Sequence, residues 1–229
     1  RGEDAGTLAI ATTHTQARYV LPEPVALLMR RFPKVKVALH QGNPEQVAQM
    51  LIEERADMGL ATESLAGFDE LVTLPCYTWQ HMMVVPAAHP LALVERPTLE
   101  QLAAVPLVSY HPSFTGRTRI DAAFARAQLK PDIVLEAIDS DVIKTYVRSG
   151  LGVGIVAEMA TRDDPIGGDL VSRSVGHLFG DNVSRVAFKR GAYLRSFVYT
   201  FAELLSERLT RALIVKAMAG TSESSDPAL

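Results

Sequence analysis

The sequence has one cysteine, Cys76, one tryptophan, Trp79, and only 7% aromatic residues among its 229 positions. A lone thiol makes no internal disulfide and has no partner for a paired-cysteine metal knuckle. That favours a reducing compartment, although a mature periplasmic protein also tolerates one thiol. No uninterrupted apolar run reaches the roughly 18 residues that a membrane-spanning helix needs. The opening Arg1-Gly2-Glu3-Asp4 is polar and leads into no apolar secretory core, so no signal peptide is expected. Charge of one sign is also scarce: 23 Lys+Arg against 26 Asp+Glu gives a formal charge of −3. Broad electrostatic attraction to nucleic acid is not expected of such a chain. Apolar content, by contrast, is ample at 48%, enough to offset chain entropy with a well-filled core.

Along the chain, apolar strand-like runs alternate with helical periodicity. Thr7 to Ala11 suits a strand, and Pro22 and Pro24 fit the first turn of a helix with Val25, Leu28, Met29 and Phe32 on one face. Val35 to His40 alternates as a strand, Asn43-Pro44 caps a helix carrying Val47, Met50 and Leu51, and Asp57 to Ala61 is a third strand. This βαβαβ unit implies parallel, right-handed crossovers. The middle repeats the theme. Strands are expected at Leu71 to Tyr77, Met82 to Pro86, Leu107 to Tyr110, Ile133 to Glu136 and Val153 to Ala157. Helices are expected at Leu99 to Ala103, Gly116 to Gln128 and Asp139 to Ser149. A turn-rich interruption spans Asp163 to Asp169, and Val183 to Lys189 reads as another strand. One long helix from Leu194 to about Lys216 and a disordered tail from Thr221 to Asp226 complete the chain. Two βα clusters suggest two similar lobes, although no internal sequence repeat is visible.

Motifs that carry reaction chemistry are missing. The six histidines, at 14, 40, 81, 89, 111 and 177, show no paired ligand spacing, so no metal is expected. There is no G-x-S-x-G elbow, and Cys76 lies in the apolar run Leu74-Pro75-Cys76-Tyr77, where a thiol acts as a small hydrophobe. No catalytic residue is assigned. Gly150-x-Gly152-x-Gly154 leaves a helix and enters a strand, the reverse of a dinucleotide loop. Gly150 is therefore read as a helix C′ residue, and Gly152 and Gly154 as close-packing positions. The basic run Arg30 to Lys36 reads as a helix C-terminus and a guarded strand edge rather than a phosphate patch. What remains is a set of hydroxyl-rich turns: Thr12-Thr13-His14-Thr15-Gln16, Thr62-Glu63-Ser64, Ser113-Phe114-Thr115-Gly116 and Asp139-Ser140-Asp141. Any one is ordinary helix capping. Two lobes both presenting threonine hydroxyls and free amides could instead hold a small oxyanion with no cationic side chain.

The run Thr12-Thr13-His14-Thr15-Gln16-Ala17-Arg18-Tyr19 resembles the start of the effector-binding domain of LysR-type transcriptional regulators of the CysB/Cbl branch. His40-Gln41-Gly42, Ala61-Thr62-Glu63, Leu74-Pro75-Cys76-Tyr77, Phe114-Thr115-Gly116-Arg117 and Asp141 to Arg148 extend the likeness over roughly residues 7 to 210. The resemblance implies an α/β, two-lobed periplasmic-binding-protein-like fold (type 2). Each lobe would be a mixed sheet flanked by helices, and two crossing strands would join them. Lobe I would take residues 1–76 and 184–229, and lobe II residues 77–183. The family's winged helix-turn-helix and linker helix are missing from these residues, so the sequence is read as an effector domain. The resemblance further implies a ligand-binding cleft of Thr13, Thr15, Gln16 and Thr62 facing Thr115, with Trp79 a further candidate for its lining. It implies a small-molecule effector: sulfate, thiosulfate, N-acetylserine, O-acetylserine or adenosine phosphosulfate. A homodimer or homotetramer, a cytoplasmic location, contact with DNA and RNA polymerase only through the full-length protein, no membrane and no cofactor are implied as well. Two rivals stand beside this reading. An extracytoplasmic solute-binding protein for a small oxyanion shares the fold, whereas an enzyme lacks a positioned nucleophile and base.

Overall fold

The computed structural model describes residues 5–162 and 169–220. The tail expected over 221–226 and all but the last residue of the turn over 163–169 lie outside the described residues. The chain opens with β1 (Ala5–Thr12), the short helix α1 (His14–Tyr19), α2 (Pro22–Arg31), β2 (Lys34–Gln41), α3 (Pro44–Ile52), β3 (Met58–Thr62) and β4 (Leu71–Trp79). It continues through β5 (His81–Pro86), α4 (Leu99–Ala103), β6 (Pro106–Tyr110), α5 (Thr115–Arg126), β7 (Asp132–Ala137), α6 (Ser140–Arg148), β8 (Val153–Ala157), α7 (Met159–Arg162), β9 (Leu170–Ser174) and α8 (Gly176–Phe179). It closes with β10 (Asn182–Lys189), α9 (Ser196–Leu205) and α10 (Arg211–Met218).

Two five-stranded mixed sheets result, ordered β2-β1-β3-β10-β4 and β7-β6-β8-β5-β9. They share one plan. In the first sheet β1 pairs in parallel with β2 and β3, and in the second β6 pairs in parallel with β7 and β8. The fourth strand of each sheet runs antiparallel and arrives from the other sheet: β10 in the first, β5 in the second. The chain therefore crosses twice, at Gln80 and between β9 and β10. This arrangement sets the carboxyl ends of the parallel strands of one sheet against those of the other, where ligands bind in open α/β folds.

Alternation along the strands builds a core on each side of each sheet. On β1, Leu8 and Ile10 join Leu28 of α2 and Phe197 and Phe201 of α9, while Ala11 joins Val47 and Leu51 of α3. In the second sheet Leu107 and Ile155 pack on Ile120 and Phe124 of α5, and Val108 and Val156 on Ile143 and Val147 of α6. The glycine run behaves as its context requires. Gly150 follows α6 at φ +77, and a Cβ on Gly152 would lie 2.5 Å from the Pro106 carbonyl oxygen.

One expected element differs. The single helix from Leu194 to Lys216 is two helices, because Ser206 is extended (φ −157, ψ 126) and Thr210 caps a new start by accepting from the Leu213 amide at 3.2 Å. Leu209, expected on the apolar stripe of that helix with Phe197, Phe201 and Leu205, is fully in the core although it lies beyond the break.

Candidate functional site

The site is assembled from the ends of strands. At the end of β1, Thr12 spends its hydroxyl on the Leu60 carbonyl at 2.8 Å, tying β1 to β3. Thr13 then takes the N-cap position of α1 in extended conformation, buried, with its side chain capping nothing. This leaves its hydroxyl available where the chain turns from strand to helix. Thr15, one residue into α1, meets Ser140 at the start of α6 with 3.0 Å between their hydroxyls. Ser140 in turn bonds the Tyr110 hydroxyl at the end of β6, which accepts from the Ala157 amide at 2.9 Å.

Gln16 is clamped at both ends of its amide. Its nitrogen donates to Ser184 Oγ at 3.1 Å, and its oxygen accepts from the Tyr77 hydroxyl. Trp79 Nε1 donates to the same Ser184 oxygen at 3.1 Å. Trp79 thus reaches the Gln16 cluster through Ser184, on the first crossing. A second contact lies elsewhere on the seam. Thr62, at the end of β3, comes within 2.7 Å of Thr115 Oγ1 at the start of α5, and Ser64 lies 3.2 Å from each. Thr15 and Thr62 from one lobe therefore touch hydroxyls of the other, while Gln16 is held by residues of its own sheet. Among the described residues, no hydrogen bond joins Thr13, Thr15 or Gln16 to Thr62 or Thr115. Ser64, Tyr77, Tyr110, Ser140 and Ser184 complete these clusters. Ser64 and Ser140 stood in hydroxyl-rich turns of the sequence; nothing local marks the other three.

Apart from the buried Lys144, charge at this seam sits on partly exposed side chains. His14 Nε2 lies 2.9 Å from Asp139, and Arg119 bonds Glu63 at 2.5 Å. Asp141 draws the Tyr19 hydroxyl, Lys144 at 3.4 Å and Arg18 at 3.5 Å. Burial pushes the Asp141 carboxyl up, but the Tyr19 hydrogen bond, Lys144 and Arg18 outweigh it and hold the group below its usual range. Lys144 is only 1% exposed and donates to Tyr19 Oη at 2.8 Å and the Ala160 carbonyl at 3.0 Å. His14, Asp139 and Asp141 offer three ligand atoms within 4.8 Å of one another. The cations on Asp141 occupy the electrostatic role that a metal would take there, so the group reads as an ion-pair network.

Behind the seam, at the first crossing, His81 is fully buried between Trp79 and Phe179. Its Nε2 has no hydrogen-bond partner and lies 2.8 Å from where a Cβ on Gly116 would stand. Burial, and then the Arg119 charge, push its imidazole down to about 3. Cys76 is buried in β4, and burial pushes its thiol up to about 12, far from nucleophilic use at neutral pH.

This two-lobed frame brings hydroxyls of both lobes together at facing strand ends, and comparison with known proteins names the fold family. Residues 1–210 match the LysR substrate binding domain. The chain belongs to that family. It is 55% identical to the HTH-type transcriptional regulator CysB of Burkholderia cenocepacia over 97% of this chain and 71% of that protein. It is 47% identical to the regulator SsuR of the same organism over 93% of this chain and 68% of that protein. The Escherichia coli regulator cbl is 43% identical over 96% and 70%. Among solved structures, the cofactor-binding domain of the Cbl transcriptional regulator superposes with a TM-score of 0.88 at 43% identity, covering 94% of this chain and 95% of that one. The chain is thus a LysR-type effector-binding domain of the CysB/Cbl/SsuR kind, with the α/β two-lobed architecture expected of it. Its relatives are transcriptional regulators, which favours that reading over a transporter's solute-binding protein or an enzyme. No described helix is long and apolar enough to cross a membrane.

Proposed function

We propose that this domain senses a small oxyanion or an acetylserine-type effector in the cleft between its lobes and relays occupancy to the DNA-binding part of a cytoplasmic regulator of sulfur assimilation. Sulfate, thiosulfate, N-acetylserine, O-acetylserine and adenosine phosphosulfate are the effectors to test. DNA and RNA polymerase are engaged through the full-length protein, assembled as a dimer or tetramer. The observation that carries this reading is the pair of hydroxyl contacts across the seam, Thr62 to Thr115 and Thr15 to Ser140. Both are neutral, both lie at strand-to-helix turns, and both join one lobe to the other.

Thr13, Thr15, Gln16, Thr62 and Thr115 are the residues proposed to bind. Neutral donors suit an ionised oxyanion, because its charge strengthens each hydrogen bond without a counter-ion. An effector that bonds both lobes binds one lobe arrangement better than others, and this differential affinity shifts the population presented to the rest of the regulator. The test is calorimetric titration with the five effectors on the wild type, Thr13→Ala and Thr115→Ala. Saturable binding of one effector, weakened by about 1–3 kcal/mol in each variant, is the expected result. Unchanged affinity in both variants removes these residues from the site.

A further inference from the structure

The two crossings of the chain are joined to each other by side chains. Gln80 donates through Nε2 to Asp181 at 2.8 Å. One residue further along each crossing, Asn182 Nδ2 and His81 Nδ1 lie 3.4 Å apart, and both residues are fully buried. His81 begins β5 and Asn182 begins β10, so this inner rung stands where each crossing enters its sheet.

From the rung the imidazole reaches α5. Trp79 and Phe179 pack edge-on to it, at 5.0 and 6.0 Å between ring centroids. Its remaining edge faces Gly116, where a Cβ would lie 2.8 Å from Nε2, 3.2 Å from Cε1 and 3.6 Å from the Trp79 ring. A side chain at 116 therefore displaces either the imidazole or the first turn of α5. Gly116 directly follows Thr115, whose hydroxyl meets Thr62 at 2.7 Å. The ring is thus wedged between the crossings and the turn that carries Thr115 to the seam.

Hydrogen bonding gives little reason for a histidine in this core. Among the described residues, Nε2 has no partner, and neither has Asn182 Oδ1. Such buried polar atoms cost free energy that a leucine or phenylalanine at 81 would avoid. What the imidazole supplies is a flat edge in a fixed place. Asn182 limits its rotation, the two aromatic rings limit its tilt, and close packing passes any shift of the ring to the backbone at 116. Two arginines tie α5 from other sides: Arg117 to the Tyr110 carbonyl at 2.9 Å within the lobe, and Arg119 to Glu63 at the rim. His81 joins the same helix start to the crossings.

Resting on the proposed reading of Thr115 as a ligand-binding residue, we infer that His81 is a positioning residue. Through Gly116 it sets the first turn of α5, and with it the Thr115 hydroxyl, against the seam. Through Asn182 it ties that turn to the strands that join the lobes. A binding group has to be held within about 0.5 Å of its productive place, so a shift of this turn is read as lost affinity.

A size-swap cycle tests this by calorimetric titration with sulfate and N-acetylserine as probes. The proteins are the wild type, Gly116→Ala, His81→Asn and the double variant, each shown folded by circular dichroism and followed by urea denaturation. Gly116→Ala pushes on the ring and His81→Asn removes its edge, so each should weaken the bound probe by about fivefold or more. In the double variant the added methyl has room. Affinity should return to within about threefold of the wild type, although the urea midpoint stays below it. Losses that multiply in the double variant, or affinity that follows stability through the series, overturn the inference. Hydrogen exchange on the ligand-free domain reads the buttress by itself: His81→Asn should quicken exchange over residues 117–121 and leave α6 protected. Unchanged exchange over 117–121 also overturns the inference. Binding of neither probe by the wild type overturns the ligand role of Thr115 on which the inference rests, while faster exchange over 117–121 in His81→Asn upholds the buttress.

Discussion

Lowering the pH should destabilise this domain through one residue, His81. Its imidazole is fully buried, its Nε2 finds no acceptor, and burial followed by the Arg119 charge holds it down to about 3. In the unfolded chain the same group titrates at its ordinary value of about 6.5. Above that value both states carry a neutral ring, and His81 contributes no pH dependence. As the pH falls below it, the unfolded state takes up a proton that the folded state refuses, so stability drops continuously until the folded value is reached. At 1.36 kcal/mol per pH unit per proton, the fall from pH 6.5 to pH 5 amounts to about 2 kcal/mol. The site is closed to solvent, so little screening reduces the figure. Urea denaturation at pH 7 and pH 5 measures it, with His81→Gln as the control. Contributions of all other groups are common to the two proteins and cancel in the difference. The wild type should lose about 2 kcal/mol more than the variant over this interval, and the His81 ring should show no titration by NMR down to pH 5. Parallel losses in the two proteins, or a ring that protonates near pH 6, refute the reasoning.

Cys76, with its thiol pushed up to about 12 by burial, should resist a thiol reagent at pH 8 and react only as denaturant opens the first lobe; rapid stoichiometric labelling of native protein contradicts this. Gly152→Ala places a Cβ 2.5 Å from a backbone oxygen and should cost about 1–3 kcal/mol. Gly150→Ala, at φ +77 but in open space, should cost about 1 kcal/mol; equal or reversed midpoint shifts count against the packing account. Tyr19→Phe removes an oxygen that receives the buried Lys144 ammonium at 2.8 Å and should cost about 1–3 kcal/mol. Arg18→Ala, whose side chain is 52% exposed at its Asp141 contact, should stay within about 0.5 kcal/mol in the same denaturation series.

The βα units were legible because their signals are local. Asn43-Pro44 announces α3 through a capping box that forms in full, and the apolar run at β1 and the alternation at β2 follow from residues a few positions apart. The two lobes were legible as a pair of such clusters. The break in the last helix was not, since Ser206 is unremarkable in sequence and the apolar spacing Phe201-Leu205-Leu209 runs on through it. The short α1 escaped notice too, because its Thr-Gln start reads equally as a turn. At the seam, the hydroxyl-rich turns were visible one by one. Their partners were not, because Thr15 and Ser140 stand 125 residues apart, and Gln16 and Ser184 stand 168 apart. Contacts of that separation come from the double crossing of the chain, which no local pattern encodes.

The distribution of bonds across the seam bears on how such a domain would switch. Inside, the lobes meet through hydroxyl pairs, each worth about 0.5–1.5 kcal/mol net. At the rim they meet through the partly exposed pairs His14–Asp139 and Arg119–Glu63, of a kind worth about 1 kcal/mol or less. The exception is Lys144, a buried charge that donates to Tyr19 across the seam as well as to the Ala160 carbonyl and Asp141 in its own lobe. Closure is therefore secured by few strong terms, and its free energy is of the size that one well-bound small molecule supplies. Under the proposed function, an effector replacing the Thr62–Thr115 contact gives up one weak neutral bond and gains charge-assisted ones from both lobes. A differential affinity of a few kcal/mol is then enough to shift the lobe equilibrium by one to two orders of magnitude. A seam already locked by buried ion pairs throughout would leave the effector nothing to decide.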